Sequence, residues 1–449
     1  MKCGVYETVI TPALGLNIPG YFVRRPAEDI IDDLYAKAIV FDNGRTTAGI
    51  VVLDILHVRA DMVKRIRERF EALTGVSGKG LMVAGTHAHT GQAVEQNDEF
   101  GQPDETWIEI TCQKAADAAV LAYRRLQDCV IGFGRTEEHD LAFNRRFWQK
   151  DGAVHTWPGV GNPDNVREAA PVDPEVCVLR VDTPDGRPIA VLTGFANHLD
   201  IVGGCKYCSD YPGELSRIVK SRLGENVVSV FVNGFSGDVT HIDYTGRHPY
   251  GANYYLEVGR KLADDVFSVY YEIKTGSTDV LGSASEVREI PRRQPTKEMY
   301  EEGKKYIADF NAGALRMQEA KGDGEYEKPT TGNADLMSLS YAKCNVNLYE
   351  NPILSENVET QVIRVGDVVF NGCGGELFAE LGLDLKARSP FDKNINVELA
   401  DGCYGYIATK HAFAEGGYEV TLDRYVNMSE DTGDIMIDTV LRLQKELRD

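Results

Sequence analysis

The amino-acid sequence predicts an α/β protein in which mixed β-sheets are flanked by helices. Two kinds of segment alternate along most of its 449 residues. Continuously apolar, β-branched runs such as residues 48–55 are typical of strands that are buried on both faces. Stretches such as residues 60–73 repeat apolar side chains at helical spacing. This alternation indicates layers of helices packed on sheets.

The predicted elements follow one another in a regular order. Residues 5–10 and 34–42 are predicted strands, and Asn43-Gly44 is a hairpin turn between the second of these and residues 48–55. Further strands are predicted at residues 80–85, 188–195, 227–232 and 360–371. Helices are predicted at residues 60–73, 105–126, 212–223, 254–271, 296–319, 376–387 and 434–447.

Residues 293–340 differ from the rest because Lys, Glu, Gly and Asp dominate their composition. We interpret this segment as a charged excursion, in which the helix at 296–319 is followed by a loop at 322–333. Apolar strand patterns resume after it, which argues against a separate unit. Residues 1–449 are therefore predicted to form a single domain.

The charge balance excludes some classes of partner. Lys and Arg total 48 against 69 Asp and Glu, which gives a formal net charge of −21. Proteins bind phosphate backbones through Lys and Arg, so this balance argues against nucleic-acid binding. The same excess of acid disfavours anionic membrane surfaces. We expect a small-molecule substrate, no nucleic acid and no stable membrane association.

The cysteines and the start of the chain indicate a compartment. Nine scattered cysteines, an odd number, fit the reduced thiols of a cytosolic protein better than a disulfide framework. The first residues show no apolar signal-peptide core, and no apolar run reaches about 18 residues. We therefore expect a cytoplasmic protein.

The most informative short segment contains His87 and His89, directly after the predicted strand 80–85. In an extended chain, positions i and i+2 face the same way, so both imidazoles can point into one site. The carboxyl end of a buried strand is a common place for ligand-binding groups. Two imidazoles at this spacing can begin a zinc site, or they can simply share a polar strand end.

Two further strand ends carry similar groups. His198 follows strand 188–195 and repeats the layout of His87. Glu376 follows strand 360–371 and is predicted in the first turn of helix 376–387, where a carboxylate either complements the helix dipole or binds a metal. Cys205 and Cys208 have the spacing of a metal or redox pair, but no second pair completes four ligands. We therefore interpret them as free thiols.

Glycine-rich loops supply the remaining candidates. Tyr406 and Tyr418 lie in Gly- and aromatic-rich segments, where tyrosines either line a pocket or simply pack. Residues 233–240 lack the spacing of a phosphate-binding glycine loop and of a nucleophile elbow.

Taken together and in chain order, these segments resemble the neutral (non-lysosomal) ceramidase family of zinc amidohydrolases. The similarity extends along the chain and corresponds to a short form without the immunoglobulin-like C-terminal tail. The segments that carry it are Ile10-Thr11-Pro12, Gly20-Tyr21, Val51-Val52-Leu53-Asp54, Thr86-His87-Ala88-His89-Thr90-Gly91, Asn144-Arg145, Asn197-His198, Ser209-Asp210-Tyr211-Pro212-Gly213-Glu214, Gly237-Asp238-Val239-Thr240 and Gly417-Tyr418-Glu419.

The resemblance implies a fold like the neutral ceramidase catalytic domain and one catalytic zinc ion. Its implied ligands are His87, His198, Glu376 and Tyr418. Zinc-activated water would then hydrolyse an amide, with the substrate carbonyl facing the second histidine of the pair and an arginine. These implied catalytic residues are His89, which is also the candidate proton donor to the leaving amine, and Arg145; the predicted substrate-binding residues are Arg146, Asp238, Thr240 and Tyr406.

Several departures from the family pattern concern the substrate. Ceramidases of this family have His-Thr-His-Ser-Gly-Pro where this chain has His-Ala-His-Thr-Gly-Gln at 87–92, and Thr240 replaces a serine. Arg145 is followed by Arg146 and Phe147 in place of Ser-Pro. These differences favour a smaller, polar substrate over ceramide, with a carboxylate that meets Arg145 and Arg146.

The sequence therefore predicts a zinc-dependent hydrolase of an amide bond. The alternatives are a ceramidase-type lipid amidase and a metal-binding member of the fold without catalysis. A further alternative is a two-metal enzyme whose second ion is held by aspartates, namely Asp54, Asp200, Asp210 and Asp238.

Overall fold

The computed structural model describes residues 1–95, 102–248, 250–313, 336–423 and 425–448. Three sheets of four or five strands organise these residues. Each of the three is antiparallel except for one parallel strand pair at its edge. The predicted hairpin at Asn43-Gly44 is confirmed, because Tyr35–Asp42 pairs antiparallel with Thr47–Leu53.

In each of the three sheets, the first two strands named form the parallel pair at the edge, and the others follow in order across the sheet. The first sheet contains Leu81–Gly85, Thr47–Leu53, Tyr35–Asp42, Lys2–Val9 and Gln127–Asp128. The second contains Val228–Asn233, Pro188–Phe195, Glu175–Asp182 and Val130–Glu137. The third contains Lys393–Val397, Val368–Cys373, Ser355–Val365 and Leu281–Pro291. Shorter pairings join Asp29–Ile30 with Lys206–Tyr207, Phe143–Asn144 with Val239–Thr240, Glu376–Leu377 with Tyr406–Ile407, and Arg146–Gln149 with Val154–Thr156 and Asn165–Glu168.

The inner faces of the three sheets pack on one another in one central core. In Thr47–Leu53, Ile50 and Val52 face this core, whereas Val51 and Leu53 face outward. Both faces of the strand are therefore buried, which explains why the sequence is apolar at every position here. The central core is built from side chains of all three sheets.

Two helices cover the outer face of each sheet. They are Ala60–Thr74 and Glu105–Arg124 on the first, Tyr211–Leu223 and Tyr254–Tyr270 on the second, and Ala379–Arg388 and Thr432–Arg448 on the third. The other described helices are Lys297–Asn311, Leu336–Glu350, Lys410–Glu415 and the 3₁₀ turns Gly78–Gly80 and Tyr418–Val420. The predicted α/β class with mixed sheets flanked by helices is confirmed. No described helix is both long enough and apolar enough to span a bilayer.

Two predicted elements are wrong. Glu376 does not begin a helix: its N–H donates to the carbonyl of Gly405 at 2.9 Å, and it pairs with Tyr406 in a short parallel strand. The helix begins only at Ala379. The predicted strand 360–371 is a hairpin of Ser355–Val365 and Val368–Cys373, because Gly366 and Asp367 form a turn.

The described residues on both sides of the gap in the charged segment 293–340 are helical. The predicted helix 296–319 is observed as Lys297–Asn311, capped by the Thr296 hydroxyl, which accepts from the Met299 N–H. A second helix, Leu336–Glu350, packs against it and was not indicated by the sequence pattern. Residues 314–335, with the predicted loop 322–333, lie outside the described residues. The single-domain organisation of residues 1–449 stays a prediction.

We expect Phe370→Ala to destabilise the protein by about 3–5 kcal/mol, because it opens a cavity where the three sheets meet. Phe370 is fully buried in the central core. The measurement is the free energy of unfolding in urea. Val287→Ala is the control, since Val287 is 58% exposed, and we expect almost no change there. Equal stabilities of the two variants would contradict the central packing.

Candidate metal centre

Three side chains, one from the parallel edge of each sheet, lie close together. His87 follows Leu81–Gly85, His198 follows Pro188–Phe195, and Glu376 follows Val368–Cys373. Each of the three side chains is almost completely buried. The carboxyl ends of parallel strands are a frequent position for ligand-binding groups, and here three such ends converge.

The polar atoms of this centre lie within contact of one another. The Glu376 Oε2 atom is 3.4 Å from His87 Nε2 and 3.3 Å from His198 Nε2. His89 Nε2 is 3.3 Å from His87 Nε2. One ring nitrogen from each of the three histidines lies within 4.8 Å of the others.

Backbone carbonyls orient two of the imidazoles. The Nδ1 atom of His87 is 3.1 Å from the carbonyl oxygen of Leu56, and that of His198 is 3.0 Å from the carbonyl oxygen of Ser236. A neutral imidazole that donates through Nδ1 carries its lone pair on Nε2. Metal-binding histidines are commonly held in this way.

The two carbonyls come from neighbouring strands of the same parallel pairs. Leu56 follows Thr47–Leu53, and Ser236 follows Val228–Asn233. In the first two sheets, one strand of the pair therefore supplies the imidazole and the other supplies the group that orients it.

The backbone conformation that brings His87 and His89 together differs from the extended chain that the sequence predicted. The chain does not stay extended, because His87 has a left-handed φ of 75°. The N–H groups of His87 and Ala88 both donate to Ile55, and that of His89 donates to Leu199. A turn pinned to two strand ends brings the rings together. Such backbone conformations are uncommon outside glycine and cluster at functional sites.

Burial and neighbouring charges set the protonation of the centre. Burial and the positive field of His87 hold the pKa of His89 well below its usual value, and burial with Arg145 lowers the pKa of His198 to about 4. Burial opposes ionisation of Glu376, but His87 and His198 outweigh it and lower the pKa of that carboxyl. Burial likewise opposes the charge on His87, but Glu376 raises the pKa. An anionic carboxylate and neutral imidazoles are the forms that bind metals, so metal binding would have to displace the proton that Glu376 favours on His87.

Arg145 connects the centre to a second buried carboxylate. Its Nε–H donates to Glu419 at 2.7 Å, and its Nη1–H donates to the Nε2 atom of His198 at 2.9 Å. Its Nη2 atom is buried without a well-aligned acceptor among the described residues. The backbone N–H of Arg145 donates to the carbonyl of Asp238. A rigid guanidinium, whose Nη2 atom lacks a well-aligned acceptor among the described residues, therefore adjoins the histidines.

The predicted tyrosines lie beside this guanidinium. The Arg145 guanidinium carbon is 5.2 Å from the ring centre of Tyr406, and the rings of Tyr406 and Tyr418 are 5.5 Å apart. Burial raises the pKa of both phenols, and the negative charge of Glu376 contributes to the raised pKa of each. Tyr418 is therefore a neutral phenol near the carboxylate, and its role as a metal ligand stays a prediction.

The other predicted substrate-binding residues hold the surrounding backbone. Arg146 is almost fully buried, donates to the carbonyl of Gly416 at 2.7 Å and lies 3.3 Å from Glu415. Asp238 accepts from Asn144 and from the N–H of Ala379. Thr240 pairs with Phe143 in a two-residue strand. Their substrate-binding roles stay predictions.

The aspartates of the two-metal alternative do not meet among the described residues. Asp54 accepts from the N–H of Tyr35, Asp210 from those of Val202 and Tyr211, and Asp200 contacts His241. Within the described ranges, His87, His89 and His198 form the group that could hold a metal ion.

Arg25 and Gly20 both contact His89, and no pattern in the sequence indicated these contacts. Arg25 is buried, donates to the carbonyl of His89 at 2.6 Å, and stacks 4.2 Å from the ring centre of Tyr21. Gly20 has a φ of 98°, and a Cβ atom there would overlap the imidazole of His89. The sequence signal was the Gly20-Tyr21 dipeptide, but its contact with a residue so far along the chain is visible only in the structure.

Comparison with known proteins supports the same fold. No protein-family model and no curated protein sequence matches the chain. Among solved structures, a ceramidase complexed with C2 is 15% identical, with a TM-score of 0.74 over 100% of this chain and 75% of that one. Neutral ceramidase from Pseudomonas aeruginosa is 16% identical, with a TM-score of 0.72 over 99% and 74% of the two chains.

These likenesses define the class of fold to which the chain corresponds, a mixed α/β architecture of several sheets and helices. That architecture is the neutral ceramidase-like fold, and the predicted fold is thereby confirmed.

We expect Gly20→Ala to displace the imidazole of His89, because the new methyl group would occupy its place. The measurement is the two-dimensional NMR spectrum of the histidine side chains, in which the His89 resonances should shift. Gly15→Ala is the matched control, since Gly15 also has a left-handed φ, of 87°, but nothing lies near its Cβ position. Both variants carry the strain of a left-handed alanine, so unchanged His89 resonances in Gly20→Ala would contradict the contact.

Proposed function

We propose that this protein is a metal-dependent amidohydrolase that cleaves the N-acyl bond of a small polar substrate. One observation carries the proposal: three imidazoles and a carboxylate from three separate sheets converge in one buried centre. Such a cluster is costly to bury without a binding partner, and among the described residues the Glu376 Oε2 atom contacts two imidazoles but makes no well-aligned hydrogen bond.

The donor set fits zinc or a similar borderline divalent ion. His87, His198 and Glu376 would hold it, with Tyr418 as the fourth ligand that the resemblance implies. Imidazole nitrogen and carboxylate oxygen are the donors of catalytic zinc sites. When bound, such an ion supplies a Lewis acid that polarises a carbonyl and brings the pKa of water towards about 7.

The chain's own residues would perform the remaining chemistry. The unused Nη2–H of Arg145 can donate to the substrate carbonyl oxygen as negative charge develops there, which is commonly the largest catalytic contribution. Burial and His87 keep the pKa of His89 low, so its imidazole is neutral, and its Nε2 atom lies 3.3 Å from that of His87 at the centre. It can therefore accept a proton from the attacking water and return it to the leaving amine.

The surroundings of the centre support a compact substrate. His89 is the most exposed of the three histidines, at only 8%. Half-buried aromatic rings stand next to it: Tyr21 packs on His89 and Trp157 on Tyr418. Arg146 is bound to Gly416 and Glu415. Arg145 is bound to Glu419 and His198, which leaves its Nη2 atom to meet a polar group of the substrate.

A lipid amide is the second candidate substrate. The observation that favours it is the likeness to a neutral ceramidase along nearly the whole chain. The site draws on all three sheets, which supports residues 1–449 as one catalytic domain. A cytoplasmic location is part of the proposal, in keeping with nine free cysteines in the described residues.

We expect the purified protein to contain about one equivalent of zinc or a similar ion per chain, measured by plasma mass spectrometry. His87→Ala and Glu376→Ala should each lose the metal and hydrolysis of N-acylated amino acids, amines, sugars and short-chain ceramide. His155→Ala is the control, because His155 is an exposed histidine that contacts Asp151. A folded wild-type protein with far less than one equivalent would refute the proposal, and two equivalents would favour the two-metal alternative. Bound metal without hydrolysis across the panel would favour a non-catalytic protein.

A second experiment separates the two roles open to His89. If His89 transfers protons, His89→Ala should keep the metal and lose turnover by about 10²–10⁴-fold. If His89 is a ligand, the same variant should lose metal as His87→Ala does. Metal content and the hydrolysis rate of one preparation decide between them, and full activity in His89→Ala would contradict both.

A further inference from the structure

Glu398 is a fully buried carboxylate at the third parallel edge, and the proposed chemistry does not use it. It directly follows Lys393–Val397, which pairs parallel with the strand that precedes Glu376. Its place therefore corresponds to those of Leu56 and Ser236 beside the other two parallel pairs.

Among the described residues, the hydrogen bonds of Glu398 go to the last residue of Val228–Asn233 in the second sheet and to the loop that follows it. Its Oε1 atom accepts from the side-chain amide of Asn233 at 2.8 Å and from the hydroxyl of Ser236 at 2.6 Å. Its Oε2 atom accepts from the backbone N–H of Ser236 at 2.9 Å. The N–H of Glu398 itself donates to the carbonyl of Asn233 at 3.0 Å. The third sheet thus fixes both ends of the 233–236 loop.

That loop orients a predicted metal ligand. The carbonyl of Ser236 receives the Nδ1–H of His198, while Glu398 holds the N–H and hydroxyl of the same serine. A continuous path of hydrogen bonds therefore runs from Glu398 through Ser236 to His198. Residues that orient a ligating histidine in this way commonly change metal affinity by about 10–100-fold.

The charge of Glu398 fits the same role. None of its hydrogen-bond partners among the described residues is a lysine or an arginine, and the charge that most lowers its pKa is that of His87. Burial raises the pKa of Glu398 to about 8, against the opposing effect of His87. This raised pKa favours the neutral acid, and a divalent ion at the neighbouring centre would favour the carboxylate.

We infer that Glu398 is a positioning residue of the metal centre, which fixes Ser236 so that its carbonyl holds His198 in its metal-binding orientation. The inference rests on the proposed metal-dependent function. A purely structural Glu398 would only join the third sheet to the second, and its loss would lower stability without affecting metal affinity.

The test compares Glu398→Gln with Asp182→Asn in the full chain. Gln has the same shape, but its amide group must face a donor of Asn233 or Ser236. Asp182 is a matched control, because it is also a buried carboxylate, bound to Arg180, at the opposite end of its strand from the site. The readouts are thermal unfolding, zinc affinity by competition with a chelator, and the visible absorption of the cobalt-substituted protein.

We expect Glu398→Gln to bind zinc about 10–100-fold more weakly and to shift the cobalt absorption bands. Asp182→Asn should lose stability only. Wild-type affinity and an unchanged cobalt spectrum in Glu398→Gln would overturn the inference while leaving the proposed function intact. A wild-type protein that takes up no divalent metal would overturn both.

If Glu398→Gln does not fold, Ser236→Ala tests whether the contact between Glu398 and Ser236 affects metal binding. This variant removes the hydroxyl that Glu398 holds but keeps the carbonyl that holds His198. We expect a several-fold loss of zinc affinity and a smaller shift of the cobalt bands. Identity with the wild type in both measurements would overturn the inference.

Discussion

The packing of three inner sheet faces against one another is the constraint on which the rest of the structure depends. Each sheet carries its parallel strand pair at one edge, and the shared core fixes how these edges meet. His87, His198 and Glu376 leave from these edges, so no single sheet could build the centre. Core packing of this kind is dense and resists small displacements. The same interdigitation that stabilises the fold therefore also sets distances between polar atoms.

Pairing of strands explains how a buried polar cluster can stay ordered. In the first two sheets, one strand of the parallel pair presents an imidazole, and its neighbour presents the carbonyl of Leu56 or Ser236 that receives the Nδ1–H. In the third sheet, the neighbouring strand leads to Glu398, which reaches across to Ser236. Hydrogen bonds thus hold these two imidazoles from the Nδ1 side. Their Nε2 atoms face the carboxylate of Glu376, and Arg145 also donates to the Nε2 atom of His198. A polar network in a low-dielectric interior is stable only when its members are satisfied in this manner.

Much of this arrangement follows from local sequence. Apolar runs identified the strands beside the site, helical spacing identified most of the helices that cover the sheets, and polar residues after strands identified His87, His198 and Glu376. Other features did not follow, because they depend on contacts between distant segments. Glu376 lies in a short strand because Gly405 accepts its N–H, and His87 adopts a left-handed conformation because Ile55 and Leu199 pin the turn around it. Arg146 contacts Gly416 and Glu415, partners that no local sequence pattern indicated.

The sequence by itself determined the α/β class, the order of most strands and helices, and three strand ends that carry ligand-type side chains. These are properties of periodicity and residue type within short windows. Only the tertiary structure decided which groups meet: Ser236 lies 38 positions from His198, Glu398 lies 162 from Ser236, and Glu419 lies 274 from Arg145. A hydrogen bond joins two atoms about 3 Å apart, whatever the number of residues between them along the chain. For that reason local patterns located the imidazoles and the carboxylate, but the partners that orient them became visible only once the three sheets were packed together.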